Sequence, residues 1–424
     1  MKPLTRPKSL LFIAVTSLWC SLSLAQDGMP GRDVESLLSL ARERNPEYAG
    51  MRYEADAAVE RVAPAGALPD PRLRMELMDV TKGGQQNPTL NPSGVGSTRY
   101  TLMQEIPWFG KRDLKREIAE LEAESAKGRA TGTWSDISSR IKVAYAQLFY
   151  LHRNERLTRE VLDLMVRLEK IAQVRYAGGL AAQQDAIRAQ TEQTGMRSEL
   201  VALENERRIV EVRLNALLAR PAQAPLAEPE KLRPLPAPVK LDFATLEDRA
   251  RAHNPLLFSE ESKVKSAEKS RDLTYKNRYP DFTVGVVPNQ FQNSVKQWDL
   301  MMEMNIPLQQ SSRRSQERES EAMLSAAQAR REAVANQVLS ELSESLAGIE
   351  AARRTEALAT DSLLPQAELT FQSALAGYET GKVDFATLLD AQRQIRQAKQ
   401  NQIKARAEGQ VRLADIERIL GEDL

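Results

Sequence analysis

The sequence predicts a mainly α-helical chain with a small β part, built as two tandem copies of one unit. Three observations carry this. Long tracts rich in Ala, Leu, Glu, Arg and Gln place apolar residues at steps of three and four, four short stretches alternate with a period of two, and a set of landmarks returns in the same order. With 28% charged and only 5% aromatic residues, the composition is that of long helices rather than a compact mixed domain.

The chain opens with Lys2, Arg6 and Lys8, then an apolar run from Leu10 to Leu24 that closes on Ser23-Leu24-Ala25. A basic start, an apolar run and a small-x-small ending describe a signal peptide over residues 1–25. The run is too short for a permanent anchor, which needs ~20 apolar residues to cross hydrocarbon as a helix. The only cysteine, Cys20, lies in this segment behind the bulky Trp19, which argues against lipid attachment, so the exported chain is expected to carry no thiol and no disulfide. Losing three basic residues from a net charge of +1 leaves a slightly acidic chain with no nucleic-acid signature. No later segment is long and apolar enough to cross a membrane as a helix, so any crossing must use strands.

Two copies follow, residues 26–220 and 241–424. Asn45-Pro46 returns as Asn254-Pro255, Pro69-Asp70 as Pro280-Asp281, Ile106-Pro107 as Ile306-Pro307, Tyr176 with Gly179 as Tyr378 with Gly381, and Leu217-Leu218 as Ile419-Leu420. Between the copies lies 221–240, whose prolines at 221, 225, 229, 234, 236 and 238 remove backbone donors and hold it extended as a connector. Each copy reads as helix, strand, loop, strand, very long helix, hairpin, helix.

From Arg72 to Asp79, Leu73, Met75 and Leu77 share one face and Arg72, Arg74 and Glu76 the other, which is the alternation of a half-buried strand. Tyr100, Leu102 and Ile106 alternate with Arg99, Thr101, Met103 and Glu105, with Gln104 as a polar break. Phe282, Val284 and Val286, then Trp298, Leu300, Met302, Met304 and Ile306 opposite Asp299, Glu303 and Asn305, repeat the pattern. Such strands suit the ~9 to 11 residues of a tilted crossing around a polar lumen, with Tyr100 and Trp298 at headgroup level. A small soluble sheet packed on helices would alternate identically. The loops 81–96 and 289–296 are polar and expected in water. If the strands do cross a membrane, four cannot close a barrel, and free edges in hydrocarbon leave backbone groups unpaired, so several copies must complete it.

Ile137, Ile141, Ala144, Leu148 and Leu151, then Leu157, Val161, Leu164, Leu168 and Ile171, mark a coiled-coil seam. The proline-free stretch from Lys111 to Arg175 would be roughly 100 Å long at 1.5 Å per residue. Leu200, Leu203, Val210, Leu214 and Leu217 mark the returning helix, interrupted by Arg207; Leu342, Leu346 and Ile349 begin the second long helix, which Pro365 is expected to kink. Pro69, Pro71 and Pro280 stand where helix becomes strand, and Pro107 and Pro307 where strand becomes helix, places that use the missing N–H without loss. A filament-type coiled coil would account for the helices but not for the strands.

No catalytic motif is present, and the two histidines, His152 and His253, lack partners at ligand spacing, so neither an enzyme nor a cofactor is expected. Met75, Met301, Met302 and Met304 read as lipid-facing or packing side chains before soft-metal ligands. Acids and arginines mix on the polar strand faces, which leaves ion preference unassigned there.

Asn45-Pro46, Leu68-Pro69-Asp70-Pro71, Gln104-Glu105-Ile106-Pro107-Trp108-Phe109-Gly110-Lys111-Arg112 and Gly377-Tyr378-Glu379-Thr380-Gly381-Lys382 together resemble the TolC-type outer-membrane efflux family, over nearly the whole chain after residue 25. The Ile-Pro-Trp-Phe-Gly-Lys-Arg stretch and the short loops look most like its heavy-metal efflux branch. The resemblance implies long helical hairpins forming a periplasmic barrel, with four strands per protomer contributing to a trimeric twelve-stranded transmembrane β-barrel. It implies a homotrimer in outer-membrane lipid, with a large periplasmic portion, fed by an inner-membrane efflux pump through a periplasmic adaptor (membrane fusion) protein. The turns Ala177-Gly178-Gly179-Leu180 and Glu379-Thr380-Gly381-Lys382 would be the tip that adaptors grip. Tyr378 and Asp390 match entrance residues by position, although Asp390 reads equally as a solvated helix acid. Val383 and Thr387 stand where a gating arginine and a second aspartate can be found. A type I protein-secretion duct and a soluble periplasmic coiled-coil protein are the alternatives.

Overall fold

The structure, a computed structural model, describes residues 29–424; the expected signal peptide, with Cys20, lies outside the described residues. Helix α1 (Val34–Arg44) starts on Asp33, whose carboxylate accepts the Ser36 N–H at 2.7 Å. It hands over to α2 (Pro46–Glu60) and the short α3 (Val62–Gly66). Strands β1 (Arg72–Met78) and β2 (Ser97–Ile106) precede α4 (Lys111–Ala177) and α5 (Gln183–Leu217). Behind the connector, a 3₁₀ turn (Pro238–Leu241) leads to α6 (Phe243–His253), α7 (Pro255–Lys276), β3 (Phe282–Phe291) and β4 (Ser294–Met304). The chain ends with α8 (Gln310–Leu358), a π-helical turn (Ala359–Leu363), α9 (Leu364–Glu379) and α10 (Phe385–Leu420).

Helix α4 has 67 residues, about 100 Å at 1.5 Å per residue. Its partner, α8 with α9, is continuous through the π turn. The helix runs through Pro365 without a break: the proline lacks the N–H that would bond back one turn, and the wider π turn just ahead of it absorbs the mismatch, at the position where a kink is expected.

Asn45 and Asn254 stand at equivalent corners. Asn45 Oδ1 accepts the Tyr48 N–H at 3.0 Å while its Nδ2 donates to the Leu217 carbonyl at 2.8 Å. Asn254 does the same with the Leu257 N–H at 2.8 Å and the Ile419 carbonyl at 2.7 Å. Each asparagine thus caps one helix and ties it to the end of the returning one, and the following proline, at the first helical turn, needs no donor.

Each corner has its own core. Val34, Leu37 and Ala41 pack on Ile137, Ile141 and Leu148 of α4 and on Leu203, Val210 and Leu214 of α5, following the expected stripes. Leu246 and Ala250 pack on Leu342 and Ile349 of α8 and on Leu413 and Ile416 of α10. A third core, with Leu157, Val161, Met165 and Leu168 against Leu388 and Leu389, joins the two hairpins towards their far end. Arg207, the polar break in the α5 stripe, is accommodated by Glu211 at 2.6 Å and Glu155 at 3.4 Å. The connector lies along the helices: Tyr145 donates to the Arg32 and Lys231 carbonyls, and Gln410 to the Arg233 carbonyl.

The four strands form one antiparallel sheet in the order β1-β2-β3-β4, so the β2–β3 seam joins the first half of the chain to the second. The expected loop 289–296 is not a loop. Strand β3 runs on to Phe291 and β4 begins at Ser294, leaving Gln292 (φ +54°) and Asn293 as a tight turn beyond an irregularity at Asn289/Gln290. The polar residues there mark exposure to water, which an antiparallel hairpin tolerates as readily as a loop. Residues between β1 and β2 form the expected long polar loop.

Candidate functional site

Three regions carry the features that bear on function: the sheet, its junction with the helices, and the far end of the hairpins. In the sheet the register sets Leu73 opposite Leu102, Leu102 opposite Val286, and Val286 opposite Leu300. The apolar residues of all four strands therefore share one face, and that face is bare: Leu300 is 88% and Met302 72% exposed. The opposite face is polar and internally bonded. Arg99 reaches Glu76 at 3.9 Å and donates to Asn289 Oδ1 at 3.3 Å, and Asn289 Nδ2 donates to Asp299 at 2.6 Å. Tyr100 donates to Gln290 Oε1 at 3.1 Å, and Trp298 faces Pro288 on the apolar side. A sheet with one bare apolar face and one hydrated face separates lipid from water.

At the junction, Pro69 and Pro71 lie between α3 and β1, Pro280 between α7 and β3, Pro107 between β2 and α4, and Pro307 between β4 and α8. The direction change is held by contacts that sequence reasoning did not assign. Asp281 accepts the Trp108 N–H at 2.7 Å and the buried Lys111 ammonium at 2.8 Å, while Lys111 also donates to the Tyr279 carbonyl at 3.0 Å. The Trp108 ring stacks on Tyr279 at 5.1 Å, and Gln104 donates to the Pro69 carbonyl at 2.7 Å. Trp108 and Lys111 were singled out only as parts of a motif; their partners are more than a hundred residues away in sequence, where no local periodicity points.

At the far end, α4 stops at Ala177 and the chain turns through Gly178, Gly179 (φ +71°) and Leu180; α9 stops at Glu379 and turns through Thr380, Gly381 (φ +77°) and Lys382. Both glycines occupy left-handed conformations that side chains resist. The structure brings the two turns together through Arg175, which donates to the Glu379 carbonyl at 2.5 Å and the Leu180 carbonyl at 3.3 Å and stands 4.9 Å over the Tyr378 ring. Tyr378 is only 2% exposed, packs 5.2 Å from Phe385, and its hydroxyl lies 3.4 Å from Asp185. Burial first, and Asp185 second, push its phenol up to about 12. Arg175 and Asp185 escaped the sequence reading because both sit on polar positions of ordinary helical stretches.

Asp390 is not part of this cluster. Its side chain is 67% exposed and lies 3.4 Å from Arg393, which also pairs with Glu192 of α5. Val383 folds onto Gly377, where a Cβ would come within 2.5 Å of its methyl group, and Thr387 serves the cap of α10, donating its N–H to Asp384 Oδ1 at 2.9 Å. Among the described residues no cluster of His, Cys, Asp and Glu could hold a metal ion.

Comparison with known proteins agrees with this geometry. The outer membrane efflux protein family matches residues 37–220 and again 246–422. The cobalt-zinc-cadmium resistance protein CzcC of Cupriavidus metallidurans is 24% identical over 397 residues, covering 92% of this chain and 90% of that protein. The outer membrane protein VceC of Vibrio cholerae superposes with a TM-score of 0.78 at 16% identity, over 92% of this chain and 96% of that one. CusC, described for its transmembrane channel formation, gives 0.78 at 15% identity, over 94% and 96%. Bare apolar strands on long paired helices, and a family match to both halves, lead to one conclusion: the chain belongs to the outer membrane efflux protein family, as a TolC-type outer-membrane channel with a large periplasmic helical portion, and is not an enzyme.

Proposed function

We propose that three copies of this chain form the exit duct of a tripartite export system that discharges heavy-metal cations. The observation that carries the duct is the four-stranded sheet, with its bare apolar face, hydrated face and two free edges. Two copies of one unit, 26–220 and 241–424 joined by 221–240, supply two hairpins per chain to the periplasmic tube. Prolines 69, 71 and 280 turn helix into strand, and prolines 107 and 307 turn strand into helix. The exposed turns 177–180 and 379–382 offer an adaptor its grip at the end of a rigid scaffold, and an inner-membrane pump feeds the duct through that adaptor. Tyr378 holds the two hairpins of one chain together at the entrance, and Asp390, exposed beside Arg393 further along α10, draws cations towards the axis. The metal cargo is supported by the similarity to a cobalt-zinc-cadmium resistance protein.

The test is a deletion strain challenged with cobalt, zinc and cadmium, with drugs, and for retention of secreted proteins. Sensitivity to the metals alone supports the proposal. Retention of a secreted protein with unchanged metal tolerance would point instead to a type I secretion duct, and a purified protein that stays monomeric in detergent and passes no current overturns the duct.

A further inference from the structure

The sheet ends on β1 at one side and β4 at the other, and both edges are unpaired and exposed in the single chain. We propose that β4 of one chain pairs antiparallel with β1 of a second copy in one defined register, fixed by an ion pair between Glu303 and Arg74 of the partner subunit. The intermolecular seam then repeats the β2–β3 seam inside the chain. This rests on reading the protein as an oligomeric duct, whose closure already requires the two edges to meet, and adds in what register they do so and through which charges.

The register comes from the internal repeat. Pro69-Asp70 corresponds to Pro280-Asp281 and Ile106-Pro107 to Ile306-Pro307, which maps β1 on β3 and β2 on β4. The two hairpins agree with that mapping: Leu73 faces Leu102 in one, and their equivalents Val284 and Met302 face each other in the other. Inside the chain, Leu102, Met103 and Gln104 face Val286, Gly285 and Val284. Transferred to the free edges, the same seam sets Met302 against the partner's Met75, Glu303 against the partner's Arg74, and Met304 against the partner's Leu73.

Charge played no part in that mapping, yet it brings an acid onto a base on the polar face and apolar residues together on the other. The two edges differ in net sign: β4 carries Asp299 and Glu303 against Lys296, and β1 carries Arg72 and Arg74 against Glu76. A slip of one residue would turn the apolar face inward. A slip of two in one direction sets Glu303 against the partner's Glu76; in the other it pairs Glu303 with the partner's Arg72 but sets Asp299 against the partner's Glu76, so each alternative opposes two acids where the transferred register opposes none, and directly opposed like charges are disfavoured. In the single chain Arg74 has only Glu76 of its own strand, at 4.0 Å, and Glu303 has no ion pair among the described residues. The junction fits as well. Asp281 accepts the Trp108 N–H inside the chain; the equivalent groups, Asp70 and the Leu308 N–H, have no hydrogen-bond partner among the described residues, and the transferred seam brings the partner's Asp70 to that N–H.

The experiment is disulfide trapping in outer membranes, on the full chain with Cys20→Ser. Met75→Cys with Met302→Cys is expected to oxidise to a reductant-sensitive ladder ending in a closed covalent oligomer, while Leu73→Cys or Leu77→Cys with Met302→Cys, the two slipped registers, yields little. Glu303→Arg or Arg74→Glu alone is expected to lower the detergent-resistant oligomer, and the two together to restore it. Efficient trapping of a slipped pair, on a particle that light scattering shows to be an oligomer, overturns the register and leaves the duct standing. A chain that is monomeric by light scattering overturns both.

Discussion

Asn45 and Asn254 each use both ends of one amide, and neither end can be spared without consequence. Alanine at either site removes a helix cap, worth about 1 kcal/mol. It also leaves the Leu217 or Ile419 carbonyl short of a donor in a buried corner, at about 1 to 3 kcal/mol. Asn45→Ala and Asn254→Ala are therefore expected to lower stability by roughly 2 to 4 kcal/mol in detergent thermal unfolding. Aspartate keeps the capping oxygen but cannot donate, so Asn45→Asp should still be clearly destabilised; an unchanged melting temperature would show the amide donor to be idle. Tyr378 calls for a different pair of variants. Its bond to Asp185 is long at 3.4 Å, so Tyr378→Phe, which keeps the ring against Arg175 and Phe385, should change stability by less than about 1 kcal/mol, whereas Tyr378→Ala should loosen the hairpins and raise the resting conductance in planar bilayers. The raised phenol pKa has a definite sign. The fold favours the neutral form, so its contribution is complete below pH 10 and lost as pH rises through about 12. The difference in melting temperature between the wild type and Tyr378→Phe should therefore be flat with pH around neutrality and move against the wild type only as pH rises from 10.0 towards about 12.

At the scale of the element, the two hairpin turns separate a folding role from a binding role. Gly179 has open space around it but a left-handed backbone, so Gly179→Ala is expected to cost about 1 kcal/mol through conformation alone. Gly381→Ala meets Arg175 at 3.4 Å, an ordinary contact with the end of a flexible side chain, and should cost a similar amount in the same melting experiment. Leu180 is 70% exposed and contributes little to the hairpin core. Leu180→Asp is thus expected to leave the melting temperature unchanged while reducing adaptor co-purification; unchanged co-purification would remove this turn from the contact. The strands were legible because Leu73, Leu102, Val284 and Met302 alternate cleanly with polar residues. The extent of the second hairpin was not, because Gln290, Gln292 and Asn293 carry the same polarity in a paired strand end as in a free loop.

For the whole molecule, the bare apolar face defines the membrane position. Leu300 lies mid-strand on that face, where a lysine is expected to cost about 2 to 4 kcal/mol if it meets the bilayer midplane. Leu300→Lys should shift protein from the outer-membrane fraction to the soluble or degraded fraction. Asp299→Lys, one residue away on the hydrated face, should remain in the membrane, and equal yields of the two would contradict the assigned sidedness. The 67-residue α4 and its counterpart in the second half, the continuous run from Gln310 to Glu379, are of similar reach, so both halves extend a similar distance from the sheet.

Periodicity, proline placement and the returning landmarks were determined by the sequence alone, because each is a local consequence of helix and strand geometry or of duplication. The long helices, the four strands and their two faces could be read from them. Only the tertiary structure decided that Asp281 would hold Lys111 and the Trp108 N–H, that Arg175 would bridge the two turns, and that Tyr378 would be buried against Asp185 while Asp390 stayed exposed beside Arg393. Apart from the local Asp390–Arg393 pair on α10, these contacts join residues from opposite halves of the chain. Their geometry is set by how two roughly 100 Å hairpins pack side by side, and no local pattern of residues encodes that alignment.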